Sequence, residues 1–166
     1  AVLITQTVEV KGQNKVDILV VMDNSLSMQL EQTNMANRFS NFLNNITSLD
    51  WQIGIITTDV SNTWVKQDGR LVALKNTDTT YAVPDPYILN SSMPLDKAQK
   101  IFGDTVQMGF DGSSAERGFK ATERAIERAI TPDTDTISKP NRMLFRPDAG
   151  LAVLIVSDAY DDSGRT

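Results

Sequence analysis

The sequence contains no cysteine and no histidine. Zinc sites built on Cys and His are therefore excluded, and so are Ser-His-Asp and Cys-His nucleophilic catalysis. Any metal bound here has to be held by oxygen, which selects hard cations such as Mg²⁺, Ca²⁺ or Mn²⁺. The missing cysteine does not fix a compartment, because exported and cytosolic proteins can both lack it. There is no apolar run of about eighteen residues, so no membrane-spanning helix is expected. The opening Ala1-Val2-Leu3-Ile4-Thr5 has no basic flank and does not read as a signal peptide. Basic side chains are also in short supply, 16 against 21 acidic for a net charge of −5. That balance weighs against nucleic acid as a partner, since phosphate binding needs clustered Lys and Arg.

What is present suits one globular domain over residues 1–166, with 40% apolar and 22% charged residues. Val16–Met22 is a near-continuous apolar run interrupted only by Asp17, the pattern of a strand buried on both faces. Trp51–Thr58 and Leu151–Val156 read the same way. Val8-Glu9-Val10 alternates like a short strand. Met28, Met35, Phe39, Phe42 and Ile46 form one stripe of an amphipathic helix over Met28–Ile46, and Ala115, Phe119, Ile126, Ala129 and Ile130 form another over Ala115–Ile130. Pro94–Phe102 reads as a short helix, with Pro at its first turn and Gly103 past its end. Asp68-Gly69 between apolar flanks predicts a hairpin over Val65–Val72, followed by an antiparallel edge strand near Leu71–Ala73. Lys75–Met93 and Thr131–Asp148 read as loops.

Strands alternating with helices imply an α/β fold, a doubly wound, mostly parallel sheet with one antiparallel edge strand. In such sheets ligands sit beyond the carboxyl ends of the strands. The three apolar strands end in Asp23, Asp59 and Asp158, and a glycine-bearing loop, Gly112-Ser113-Ser114, enters its helix at the same rim. Asp23-Asn24-Ser25-Leu26-Ser27 adds two hydroxyls to the first carboxylate. No Lys or Arg lies in these motifs. A partly buried carboxylate cluster without a counter-charge costs several kcal/mol, on the order of the usual desolvation penalty, and a divalent cation removes that cost. The bland alternative for Ser25, Ser27 and Ser113 is helix N-capping, and for Asp158 a solvated strand end. Asp59 reads first as a turn residue.

Asp23-Asn24-Ser25-Leu26-Ser27 after an apolar strand resembles the Asp-x-Ser-x-Ser motif of the von Willebrand factor type A domain family. Val153–Asp158 (VLIVSD) resembles that family's later strand, which ends in a second metal-site Asp, and Gly112-Ser113 with Gly118-Phe119 resembles its Gly-Thr loop. The resemblance covers Val16 to Asp162 and implies a Rossmann-like fold with a metal-ion-dependent adhesion site. Ser25, Ser27 and Ser113 would then bind a divalent cation directly, Mg²⁺ first and Ca²⁺ or Mn²⁺ as alternatives. Asp23 and Asp158 would bind it directly or through water, with Asp59, Ser114, Asp161 and Asp162 as candidates for the surrounding shell. A protein partner would supply a carboxylate to the open coordination position, without nucleic acid, membrane insertion or enzymatic turnover.

Ser113 stands where the family more often has Thr, Leu26 where Gly is frequent, and Ala159 where Gly commonly follows the second Asp. The family fold also needs strands and helices after the Asp158 strand, so the expectation is a fold truncated there and completed by a missing C-terminal segment or a second chain. The form of the motifs resembles exported bacterial members, which implies the periplasm, the outer surface or secretion. Two other functions fit parts of the pattern. One is a Mg²⁺-dependent phosphotransferase with Asp23 as nucleophile, although the second acid expected two residues on is Ser25. The other is a structural scaffold whose metal site is vestigial.

Overall fold

The computed structural model describes residues 14–61, 67–109, 112 and 116–164 of the chain. At its centre lies β1 (Lys15–Met22), where every residue from Asp17 to Met22 is buried. It pairs in parallel with β2 (Asp50–Thr57) on one side and with β4 (Gly150–Val156) on the other. A short strand, β3 (Leu89–Asn90), pairs antiparallel with β2, so the four-stranded order is β3-β2-β1-β4. The apolar runs of β1 and β2 form strands because each presents β-branched side chains to both faces of the sheet at once.

Helices cover both faces. On one, α1 (Gln29–Asn45) and α2 (Leu95–Val106) pack over Ile18, Val20 and Met22, with Phe39 of α1 stacked on Phe102 of α2. On the other, α3 (Gly118–Ala129) and α4 (Lys139–Leu144) pack over Leu19, Val21 and Ile56 through Ala121, Ala125 and Leu144. The alternation of β1 side chains between these two clusters follows from the two-residue period of a strand. The predicted α/β class, the mostly parallel sheet and its antiparallel edge are present, in an arrangement compatible with a Rossmann-like fold. Among the described residues, no helix is long and apolar enough to cross a membrane.

Several expectations need correction. The antiparallel edge strand is β3, inside the stretch read as a loop. The 71–73 segment makes a backbone bond from Val72 N to Ile55 O (2.7 Å) without forming an assigned strand. The Asp-Gly turn itself is present: Asp68 and Gly69 both have positive φ, 59° and 71°, and Arg70 N donates to Gln67 O. A Cβ at Gly69 would lie 2.4 Å from the backbone nitrogen of Ala125, so the turn tolerates only glycine there. Val65 and Lys66 of the predicted hairpin and the Val8–Val10 strand lie outside the described residues.

Helix α2 runs through Gly103 to Val106, because the buried face made by Ile101, Phe102, Thr105 and Val106 outweighs one glycine. Helix α4 occupies part of the second predicted loop. It is too short for periodicity to reveal, and Pro140 in its first turn is the only sequence cue. Helix α3 starts at Gly118, three residues later than predicted.

The largest correction concerns β4. Its composition predicts burial on both faces, yet Leu151 is 48% exposed, Val153 40% and Leu154 37%. Only its last two residues, Ile155 and Val156, pack against the helical layers. Among the described residues nothing lies on the outer edge of this strand.

Candidate metal centre

The chain leaves β1 and crosses through α1 to β2 on one side, while β4 lies on the other. The gap between the carboxyl ends of β1 and β4 is thus the switch point of the sheet, the place where a crevice opens in this architecture. Asp23 follows β1 directly, and its N–H donates to Val156 O at 3.0 Å, which ties it to the end of β4. Its side chain is fully buried. Oδ1 accepts from Ser25 N at 2.8 Å and Oδ2 from Ser157 Oγ at 2.6 Å.

Ser25 precedes a 3-10 turn (Leu26–Met28) that leads into α1. Its side chain makes no capping bond to that turn. Its Oγ instead lies 3.2 Å from Ser27 Oγ, and Ser27 Oγ donates to Asp158 Oδ1 at 3.1 Å. Four predicted site residues, Asp23, Ser25, Ser27 and Asp158, are therefore linked through hydroxyls and backbone across two neighbouring strand ends. Capping does not account for Ser25. Ser27 and Asp158 are exposed while Asp23 and Ser25 are buried, so the group has a closed floor and an open mouth.

Neither carboxylate has a cationic partner among the described residues; their partners there are the Ser25 N–H and the Ser27 and Ser157 hydroxyls. No group of three or more His, Cys, Asp or Glu side chains converges among the described residues, so this cluster has two acids and otherwise hydroxyls. Two carboxylates with several hydroxyls form an all-oxygen donor set that suits Mg²⁺ or Ca²⁺ and is poor for softer metals. The residues present fit such an ion.

Ser113 and Ser114 lie outside the described residues. Gly112, next to them, is described: its N–H donates to Asn24 O at 3.2 Å, which brings the loop to the first motif. A Cβ on Gly112 would lie 2.3 Å from Asn24 Oδ1, so a larger residue there would have to displace the Asn24 side chain. The candidates for the surrounding shell separate. Asp59 is buried and serves its own turn, accepting from Ser61 N, Ser61 Oγ and Gln67 Nε2. Asp161 caps α3 from outside the helix, with Oδ2 accepting from Phe119 N at 2.8 Å and Oδ1 from Ser163 N at 2.7 Å. Burial acts to raise its pKa, but the bonds from Ser163, Phe119 and Gly118 prevail and hold the carboxyl below its ordinary value. Asp162 is exposed, and its N–H donates to Glu116 O. Both tie the chain after Asp158 to the start of α3.

Three neighbours of the site were not singled out by the sequence reading. Ser157 orients Asp23; its place just before Asp158 was the available hint. Gln32, 1% exposed, donates from Nε2 to both Asp23 O and Gly109 O, each at 3.2 Å. It is the one polar residue on the apolar stripe of α1 between Met28 and Met35, and that break in the stripe was its signal. Asn24 is buried with Oδ1 unpartnered, against Gly112.

The chain matches no protein-family model, no curated protein and no solved structure.

Proposed function

We propose that this protein is a metal-dependent binding module of the von Willebrand factor A type, a non-enzymatic domain that presents a divalent cation to an acidic group of a protein partner. One observation carries the reading. A fully buried Asp23 and an exposed Asp158, on strands either side of the switch point, are linked through the Ser25 N–H and the hydroxyls of Ser25 and Ser27, with no positive side chain as partner among the described residues. An uncompensated buried carboxylate is costly, and a hard cation is the counter-charge that an oxygen cage accepts.

In this reading Ser25, Ser27 and Ser113 hold the ion, with Asp23 and Asp158 contributing charge. Ser157 and the Ser25 N–H fix the rotamer of Asp23, and Gln32 anchors the backbone beneath it. The bound cation supplies a Lewis-acidic point for a carboxylate. The exposure of Ser27 and Asp158 leaves the side through which that carboxylate approaches. Mg²⁺ is the first candidate, with Mn²⁺ and Ca²⁺ next. The uncovered apolar strand β4 supports the further reading that additional polypeptide, from the same gene product or a second chain, packs along it. Export is part of the same proposal and rests on the family resemblance alone.

Titration calorimetry with MgCl₂ and MnCl₂ on chelator-treated protein tests the site. Saturable uptake of one ion, lost in Asp23→Ala and in Ser27→Ala while both variants keep the native circular dichroism, is the expected result. Heats that stay at the dilution baseline for Mg²⁺, Mn²⁺ and Ca²⁺ refute the reading.

A further inference from the structure

Away from the rim of the sheet, a pocket of about 670 Å³ opens between the 70–73 and 85–87 segments and the start of helix α4. Its size falls within the range of about 300–1,000 Å³ usual for small-molecule sites. It shares no residue with the candidate metal centre. Leu71, Val72 and Tyr87 form its inner wall, and Ile137, Pro140 and Met143 its outer one.

The inner wall is the outer skin of the core. Leu71 shares one buried cluster with Leu19, Val21 and Leu144, and Tyr87 packs against it. Val72 N donates to Ile55 O, and Leu74 N to Pro86 O, both at 2.7 Å, which fastens the two inner segments to β2 and to each other. On the α4 side, Asp135 Oδ1 accepts from Ile137 N and Ser138 N, while Arg142 donates to Thr131 Oγ1 and Asp135 O, each at 2.7 Å. The protein's own bonds thus hold both walls, and a preformed cavity costs a ligand less ordering than one it must shape. The walls differ in cover. Leu71 and Val72 are buried, whereas Ile137 and Met143 stand 61% and 48% exposed, a bare apolar lip at the mouth.

The charges of the lining decide the class of ligand by cancelling. Its ionisable acids and bases are Arg70, Asp85 and Lys139. Arg70 is already engaged within the protein, and the charges of Asp85 and Lys139 offset one another. Asp85 Oδ1 also accepts from Tyr87 N at 2.7 Å and Ile88 N at 2.9 Å. A charged ligand would leave water for walls with no surplus of either sign to meet it, and that transfer is costly. An uncharged apolar molecule avoids the cost and gains by covering the lip. Thr136 and Tyr87 bring the uncharged hydrogen-bonding side chains of the lining, so a polar end on the ligand meets hydroxyls and not a counter-ion.

We propose that this pocket is a second, metal-independent site for a small uncharged molecule that is mostly hydrocarbon with a hydroxyl or carbonyl end, its body lying against Leu71, Tyr87, Ile137 and Met143. The site does not rest on the cation reading, because no residue is common to both.

The test titrates 1-octanol into the protein in EDTA, with sodium octanoate and octyltrimethylammonium chloride as charged molecules of matched body. Binding is followed by calorimetry and by NMR of ¹³C-methyl-labelled methionine. The chain has 6 methionines, and only the Met143 signal, assigned by its loss in Met143→Asp, should move as octanol saturates. Octanol should bind at least about tenfold more tightly than either ion, as desolvation of an unmet charge predicts. Met143→Asp and Ile137→Asp, both at the exposed lip, should each weaken octanol by about tenfold or more. Leu151→Ser, on the uncovered strand β4, and Asp23→Ala should change nothing. Either ion binding as tightly as octanol, a shift at other methionines without one at Met143, or no saturation of protein with native circular dichroism would overturn the proposal. So would binding that survives both lip variants and is lost in Leu151→Ser, which places the ligand on β4. A cation site that fails its own titration leaves this outcome untouched.

Discussion

Strand β1 carries a buried carboxylate at each end, and the two are treated in opposite ways. Asp17, 2% exposed, meets a guanidinium: Arg146 Nε lies 2.7 Å from Oδ1, and the Arg146 N–H donates to Oδ2 at 2.6 Å. The same Arg146 reaches Asp50 on β2 at 2.8 Å, so three charges lock the amino end of the sheet. Burial still outweighs Arg146 and pushes the Asp17 carboxyl above its ordinary value. Asp23, buried more completely, meets among the described residues one hydroxyl, of Ser157, and one N–H, of Ser25. A fold that supplies an arginine at one end of a strand and withholds it from the other has a structural ion pair in the first place and, in our proposal, a ligand-completed one in the second. The difference teaches that burial of an acid is not by itself a functional signal; our proposal rests on the missing counter-charge.

The largest effect should come from breaking the amino end. Arg146→Met leaves Asp17 buried without its partner and is expected to cost about 3–5 kcal/mol by denaturant unfolding, as for other broken buried pairs. That cost should shrink in acid. The variant raises the Asp17 pKa further, so the penalty on the charged form is present above that pKa and disappears as pH falls below it. A loss independent of pH would mean that Arg146 acts through packing and not as the counter-charge of Asp17.

The matching experiment at the carboxyl end adds a charge. Saturating Mg²⁺, at roughly a hundredfold excess over its Kd, should stabilise the native protein by about 2.7 kcal/mol. Asp23→Asn should abolish that gain while leaving stability in EDTA equal to or above that of the native protein. If Asp23→Asn in EDTA costs as much as Arg146→Met, Asp23 is an ordinary structural acid and the contrast between the two ends collapses.

A smaller effect sharpens the contrast by testing how the rim is assembled. Gly112→Ala places a methyl against Asn24 Oδ1 and should cost about 1–3 kcal/mol, as overpacking does. It should also weaken cation uptake, because the loop it displaces carries Ser113. Asn24→Ala in the same chain should restore part of both losses, and a double-mutant cycle showing no coupling would sever Gly112 from Asn24.

The smallest effect concerns Asp161, beside the site but with partners of its own. Its lowered pKa contributes stability above the ordinary carboxylate range, and that contribution is lost as pH falls through the folded value. The acid limb of the stability profile should therefore be shallower in Asp161→Ala, with Mg²⁺ affinity unchanged. A large drop in affinity would place Asp161 among the groups that hold the ion.

The strands and α1 were legible because their signals are local; α3 was legible as a helix but not in its orientation, since Phe119, Ile126 and Ile130 of the predicted stripe are exposed and Ala121 and Ala125 are buried instead. A run of β-branched residues or a stripe at helical spacing survives without knowledge of its neighbours. That Asp23, Ser25, Ser27 and Asp158 would meet at one rim was legible for the same reason, since they follow apolar strands whose ends lie side by side in a parallel sheet. The short elements β3 and α4 were not, because two and six residues are too few to show a period. Asp161 read as a rim carboxylate, yet its partners lie at the start of a helix 42 residues away along the chain.

By itself, then, the sequence determined the class of fold, the position of the strand ends, and the restriction to oxygen donors that follows from having neither cysteine nor histidine. Tertiary structure alone decided which strands are neighbours. That adjacency placed Asp158 against Ser27, sent Ser157 to Asp23, and brought Arg146 to Asp17 across 129 residues. It also left β4 apolar yet uncovered among the described residues. The reason is physical: a backbone period needs only adjacent residues to express it, whereas the counter-charge of a buried acid is chosen by whatever distant segment the packing brings beside it.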